Sequence, residues 1–288
     1  FLNCNGGSSM SKASFYDGAE YVMSEFLGLT AGQKLEQKST SRKVRSVVGT
    51  GGAAAMLEEM YEVMTSKPGL NLEKSRQNWR LERQIDQLDD GHTGKETCLE
   101  KAVAFLAENG RMPGWYNQVP TASGVTDPSQ DRKANVDLAH WDESRGILRL
   151  IELKWRVDTD APSYALYEAI KSGLAYIYFR AEGIRRPMLE LPSRHVALEV
   201  VAPHVYFVEH DQQALLREIS EALAPFAKSK IGEDAPDMSV NMLAFPSDFI
   251  TFPFENGAEV KAQCNTAAAT PEGRRVCEAF ANLSPVWK

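Results

Sequence analysis

Cysteine is scarce in this chain, with four in 288 residues: Cys4, Cys98, Cys264 and Cys277. They form no CxxC pair and no His/Cys cluster of ligand spacing, which excludes a disulfide scaffold and argues against a structural zinc site. No apolar run approaches the ~18 residues needed to cross a bilayer. Without a recognisable signal peptide, the expectation is reduced thiols in a cytoplasmic protein. A GxSxG nucleophile elbow is missing. Gly49-Thr50-Gly51-Gly52 lacks the Lys-Ser/Thr ending of a phosphate-binding loop. His195, His204 and His210 stand at expected strand ends without metal-ligand spacing. Positive charge is also in deficit: 32 Lys+Arg against 39 Asp+Glu give a net charge of −7. That excludes coating nucleic acid by charge alone and leaves room for a local basic groove.

What is present is ordinary for a globular fold, with 43% hydrophobic and 25% charged residues. Phe1–Ser9, ahead of Met10, read as cloning or translation residue and enter no fold argument. Residues 1–92 are expected to form a helical extension that offers a surface for a homodimer or protein partner. Apolar spacing of three and four predicts a helix over Ala53–Met64, stopped by Pro68-Gly69, and a second, highly charged one from Leu72 to Leu88. The basic stretch Ser41–Arg45 is either a phosphate contact or a solvated loop.

A boundary falls at Asp90–Thr93. Thr93 and Glu96 fit a capping box, so a helix is expected from Gly94 to Asn109. Strands follow at Trp115–Pro120, Ala134–Trp141 and Ile147–Arg156, then a nearly all-round apolar helix from Pro162 to Arg180. His195–Val201 and Val205–Val208 read as strands. Residues 211–288 add a helix over Asp211–Ala227, a strand-like run over Val240–Phe254 and a terminal helix from Pro271. The order in 93–210 predicts an α/β core around a mixed sheet.

The chemistry concentrates in Asn135-Val136-Asp137 and Ile151-Glu152-Leu153-Lys154. Alternation puts Leu148, Leu150, Glu152 and Lys154 on one strand face. A four-residue loop, Glu143–Gly146, pairs Asp142 with Ile147, hence Ala139 with Leu150 and Asp137 with Glu152. Directly opposed Cβ atoms lie ~4.5–5.5 Å apart, where two carboxylates repel unless a cation or a shared proton intervenes. A divalent metal is the natural compensator. The alternative is a surface Glu152–Lys154 ion pair with Asp137 solvated.

These residues and their order resemble the PD-(D/E)XK nuclease superfamily, the restriction-endonuclease-like fold, over residues 93–210. Val136 stands where the family usually has Pro. The resemblance implies that Asp137, Glu152 and Lys154 are the catalytic set and that Glu100 on the first helix completes the metal site, with Glu96 as the alternative. It implies Mg²⁺ or Mn²⁺ held by Asp137, Glu152, the Leu153 carbonyl and Glu100, with Glu168 reaching a metal-bound water. Lys171 would touch a phosphate, unless Glu168 and Lys171 simply pair with each other. The implied activity is phosphodiester hydrolysis of nucleic acid, DNA in the first instance. The rival is an inactive relative that keeps the fold for binding or assembly. A rim of Arg132, Lys133, Arg156, Lys171 and Arg180 would favour DNA.

Overall fold

The computed structural model describes residues 14–74, 76–85, 91–126, 134–155, 161–249, 251–266 and 270–287. Its central hairpin follows from the loop that closes it. Strand β2 (Asn135–Asp142) pairs antiparallel with β3 (Ile147–Leu153), with Asp142 opposite Ile147 and Ala139 opposite Leu150. Gly146 closes the turn at φ +64, a conformation that glycine adopts without a Cβ penalty. Asp142 Oδ1 fastens the same loop, accepting from Ser144 Oγ at 2.6 Å and from the Arg145 N–H at 3.1 Å.

Strand β1 (Trp115–Pro120) pairs antiparallel with β2. β4 (His195–Ala202) and β5 (Asp237–Ala244) run parallel to β3, and the short β6 (Ser284–Pro285) returns antiparallel. The result is an α/β fold with an open, mixed six-stranded sheet in the order β1-β2-β3-β4-β5-β6. Parallel neighbours need crossovers. Helix α5 (Pro162–Ala181) joins β3 to β4, and α7 (Gln213–Ile231) joins β4 to β5. The described residues hold nine helices, the others being α1 (Ala19–Phe26), α2 (Lys38–Ser41), α3 (Gly52–Thr65), α4 (Lys95–Glu108), α6 (His204–Phe207), α8 (Gly257–Cys264) and α9 (Pro271–Ala281). None is long and apolar enough to cross a membrane.

Two apolar clusters sandwich the sheet. One joins α1, α3, α5 and α7 to Leu148, Leu150 and Leu198, and the other joins α4, α8 and α9 to Leu138, Ile151 and Leu153. Cys98, Cys264 and Cys277 are free thiols within the second layer or against it.

Several expected elements differ. The Leu72–Leu88 helix is turns and extended chain over its described residues. Here the open edge of β1 competes with helix formation. The Trp79 N–H binds the Pro120 carbonyl at 2.7 Å, and Asn117 bonds both the N–H and the C=O of Gln84 at 2.8 and 3.1 Å. No capping box forms, since Gly94 is the N-cap without a side-chain hydrogen bond, and Glu96 turns to the Trp155 N–H at 2.8 Å instead. β3 ends at Leu153, with the Lys154 N–H still bonded to the Val201 carbonyl; Arg156, the expected end, lies outside the described residues. Val205–Val208 is not a strand: Pro203 ends the ladder, and the chain coils into α6. The run from Val240 stays extended only to Ala244, beyond which Phe245, Phe249 and Phe252 gather around Trp155.

Helix α5 carries two residues of interest, Glu168 and Lys171, and Gly173 is what lets it sit close to β4. A Cβ at position 173 would collide with the Leu198 side chain. Gly173→Ala should therefore cost ~1–3 kcal/mol, the usual range for overpacking, read as a lower denaturation midpoint. An unchanged midpoint would show that the α5–β4 contact is looser than described.

Candidate functional site

Backbone pairing of the hairpin stops at Leu138–Ile151, and the same register places Asp137 opposite Glu152 one step further. Asp137 takes a different partner there: its Oδ2 accepts the Leu153 N–H at 2.8 Å. Ala139 and Leu150, a directly opposed pair, both pack on the α5 side of the sheet, and Glu152 follows Leu150 there; on β2 the alternation breaks around Asp137, because Val136 joins the α5-side cluster and Leu138 the other. On β1, Gln118 also leaves the ladder, at φ +49 between the paired neighbours Asn117 and Val119.

Lys154 follows β3 and is anchored by its own N–H to the Val201 carbonyl at 2.9 Å. Its buried ammonium reaches Glu152 Oε1 at 2.9 Å and, from α5, Glu168 Oε2 at 2.8 Å. Lys171 contacts Glu168 Oε1 at 3.4 Å, and its ammonium lies 5.4 Å from the ring centres of both Tyr16 and Tyr167. Glu100, buried on α4, accepts a hydrogen bond from Gln118 Nε2. The Gln118 Oε1 in turn accepts from Asn135 Nδ2 at 3.2 Å. Both helical layers thus send a carboxylate to the sheet end where Asp137 and Glu152 meet.

Burial dominates the electrostatics, and crowding of like charge adds to it. Desolvation and the neighbouring Glu100 push Asp137 up to about 8, against the pull of Lys154 and the Leu153 N–H. Desolvation also pushes Glu100 up to about 8, although the Gln118 hydrogen bond opposes it. Glu152 is raised by burial, Asp137 and Glu168. Glu168 goes the other way, because Lys154, Lys171 and its hydrogen bonds outweigh burial. Burial alone would lower Lys154, but Glu152, Glu168 and Asp137 hold its ammonium well above the ordinary value.

Within this cluster four carboxylates (Glu100, Asp137, Glu152, Glu168) face two ammonium groups (Lys154, Lys171). An all-oxygen donor set suits a hard divalent cation, which would displace the protons that burial keeps on Asp137 and Glu100. Among the described residues, no three His, Cys, Asp or Glu side chains are gathered into a ready-made cage. Glu152 and Glu168 engage Lys154, while Glu100 engages Gln118.

The other candidates lie as follows. Leu153 is in the site through its peptide, whose N–H Asp137 takes. Glu96 binds the backbone of Trp155 at the site's margin. Arg132, Lys133 and Arg156 lie outside the described residues. Arg180 is not on the rim: it sits in the last turn of α5, bound to the Leu189 carbonyl at 2.7 Å and to Tyr176 Oη at 3.2 Å. Arg42 and Arg45, in the basic stretch, pair with Glu209 and Asp211. Sequence reasoning missed Gln118 and the tyrosines around Lys171, and named Asn135 only as part of the run Asn135-Val136-Asp137. Polar residues near strand ends were the only available signal for Gln118 and Asn135, and no local pattern announces a left-handed glutamine. Comparison with family models, curated proteins and solved structures finds no match to this chain.

The raised carboxyls carry a sign for stability. Their folded values near 8 exceed the ordinary 3.8 of Asp and 4.5 of Glu, so the folded state binds protons more tightly between those limits. Stability of the metal-free protein should therefore fall as pH rises through that window. Glu168 acts oppositely, but only below its ordinary value of 4.5. Thermal melts in chelator at about pH 6 and about pH 8.5 should show a drop in Tm that is smaller in Glu100→Gln. An equal drop in both proteins would remove Glu100 from the coupled set.

Proposed function

We propose that this protein is a metal-dependent nuclease of the PD-(D/E)XK type, with a restriction-endonuclease-like core, hydrolysing phosphodiester bonds of DNA. The observation that carries the reading is the convergence of Asp137, Glu152 and Lys154 at one sheet end, with Glu100 and Glu168 arriving from the two helical layers. The element order α4-β1-β2-β3-α5-β4 also supports it.

In this reading Asp137, Glu152, Glu100 and the Leu153 carbonyl are the oxygen donors for Mg²⁺ or Mn²⁺, and Glu168 reaches the ion through water. Such an ion supplies Lewis acidity to the scissile phosphate and lowers the pKa of a bound water. The protein's own part is orientation and charge. The Leu153 N–H fixes the Asp137 carboxylate. Lys154, positioned by Glu152 and Glu168, orients the attacking water and offsets charge that builds on the phosphate. Lys171 supports Glu168 and, in this reading, would touch a phosphate of the substrate.

A second reading, an inactive binding or assembly relative, draws on one observation. The described cations near the site are already engaged, Lys154 by two carboxylates and Lys171 by Glu168 and two rings. One assay separates the two. Single-stranded, double-stranded and branched DNA are incubated with the protein and Mg²⁺ or Mn²⁺, beside Asp137→Ala. Cleavage that Asp137→Ala abolishes supports the nuclease; no cleavage of any substrate supports the binding protein.

Lys154→Arg refines the test. Arg keeps the charge and can pair with Glu152 and Glu168, but its planar guanidinium cannot reproduce a compact ammonium beside a water. Cleavage should fall at least ~100-fold, the lower end for proton-transfer participation, with Tm nearly unchanged. Full activity in this variant would refute the role given to Lys154.

A further inference from the structure

Gln118 is the residue of β1 least explained by its strand. Register is continuous across it, with Asn117 paired to Leu138 and Val119 to Val136 on either side. Between them Gln118 turns to φ +49, a region unfavourable for a residue that carries a Cβ. Such a conformation persists only where its surroundings over-determine it. Both flanks are pinned, Asn117 by Gln84 and Pro120 by Trp79, and the Gln118 carbonyl accepts from Arg80 at 3.4 Å. The same register puts Gln118 level with Asp137, so the excursion occurs where β2 also leaves the ladder.

The side chain accounts for the choice of residue. Asn135 Nδ2 can only donate, so the Gln118 atom it meets at 3.2 Å is the amide oxygen. That leaves Nε2 to donate to Glu100 Oε2. Asn135, Gln118 and Glu100 form a relay from the start of β2, across β1, to α4. Glu100 has no other side-chain hydrogen bond among those described, and a lone buried carboxylate on a helix would otherwise be free to rotate.

We propose that Gln118 is a positioning residue, held in a left-handed conformation so that its amide fixes the Glu100 carboxylate toward Asp137 and presents it to a divalent cation. The inference rests on the metal site proposed above and assigns Gln118 no contact with substrate. A partner that orients a ligand typically alters metal affinity by about 10–100-fold when removed.

The test measures binding of Mn²⁺ alone to the full chain, by the electron paramagnetic resonance signal of the free ion. Gln118→Gly removes the amide and relieves the φ, two changes of opposite sign for Tm, and half-saturation should move up at least ~10-fold. Gln118→Asn tolerates the left-handed region but is one methylene short, and should lose affinity similarly; it carries the comparison if the glycine variant fails to fold. In a Glu100→Gln background the further loss from Gln118→Gly should vanish, because both changes break one element. Unchanged Mn²⁺ affinity in both Gln118 variants, or an undiminished loss in the Glu100→Gln background, would overturn the role of Gln118 alone. No Mn²⁺ binding by the wild type would overturn the metal site and this role together.

Discussion

An ammonium taken out of water must be surrounded by negative charge, and the Lys154 ammonium meets that demand with one carboxylate from its own chain segment and one from α5. Isolated, such a charge would cost several kcal/mol, and removing one partner of a buried pair is strongly destabilising. The pairing therefore dictates distances elsewhere. α5 must lie close enough for Glu168 to reach Lys154, which is the approach that Gly173 permits against β4. β3 must end where it does, so that Lys154 can leave the strand while its N–H still bonds Val201. Lys171, over the rings of Tyr16 and Tyr167, then contacts the other carboxylate oxygen of Glu168 and ties the N-terminal segment to the same cluster.

The site also depends on interrupted regularity. A fully paired sheet would direct every N–H of β3 to a neighbouring carbonyl. Because pairing stops at Leu138–Ile151, the Leu153 N–H is available to the Asp137 carboxylate, a charge-assisted bond stronger than an ordinary ladder bond. The cover along β1 makes the matching irregularity at Gln118 tolerable. Residues 79–84 supply partners to the outer edge, so the strand holds its register on both sides of a residue that abandons it.

Much of this was legible in the sequence because the hairpin loop is short and antiparallel register counts back from it one pair at a time. The loop Glu143–Gly146 determines the register, and the register brings Asp137 level with Glu152 without any knowledge of the rest. The helices α3, α4, α5 and α9 were legible from apolar spacing and from Pro and Gly at their ends. What failed did so where tertiary partners outbid local preference. The charged stretch after Leu72 has helical composition, but the open edge of β1 claims its backbone. Thr93 and Glu96 have the spacing of a capping box, yet Glu96 finds the Trp155 N–H, which lies 59 residues away in the chain. The ion pair of Glu152 with Lys154 was foreseen only as a surface alternative. In the fold it is buried and shared with Glu168, a residue expected to reach a metal-bound water or to pair with Lys171. Short-range pattern finds which carboxylates are opposed; it does not find which cation reaches them.

The sign of the charge at this sheet end has a consequence for any polyanionic substrate. With Asp137 and Glu100 held near 8, this sheet end keeps protons rather than free negative charge around neutral pH, while the chain as a whole carries a net charge of −7. Lys154 and Lys171 are turned to carboxyl groups of the site rather than presented to a phosphate, Lys154 to Glu152 and Glu168 and Lys171 to Glu168. On the nuclease reading, a divalent cation would displace these protons and bring the positive charge with which the same surface accepts a phosphate. Affinity for the substrate and affinity for the cation are then linked, each raising the other by the same factor. An acidic protein would in this way hold nucleic acid at the site of chemistry without attracting it along the rest of its surface. The net charge that excludes non-specific coating and the crowded carboxylates that raise each other's pKa are, on this view, two expressions of one electrostatic arrangement.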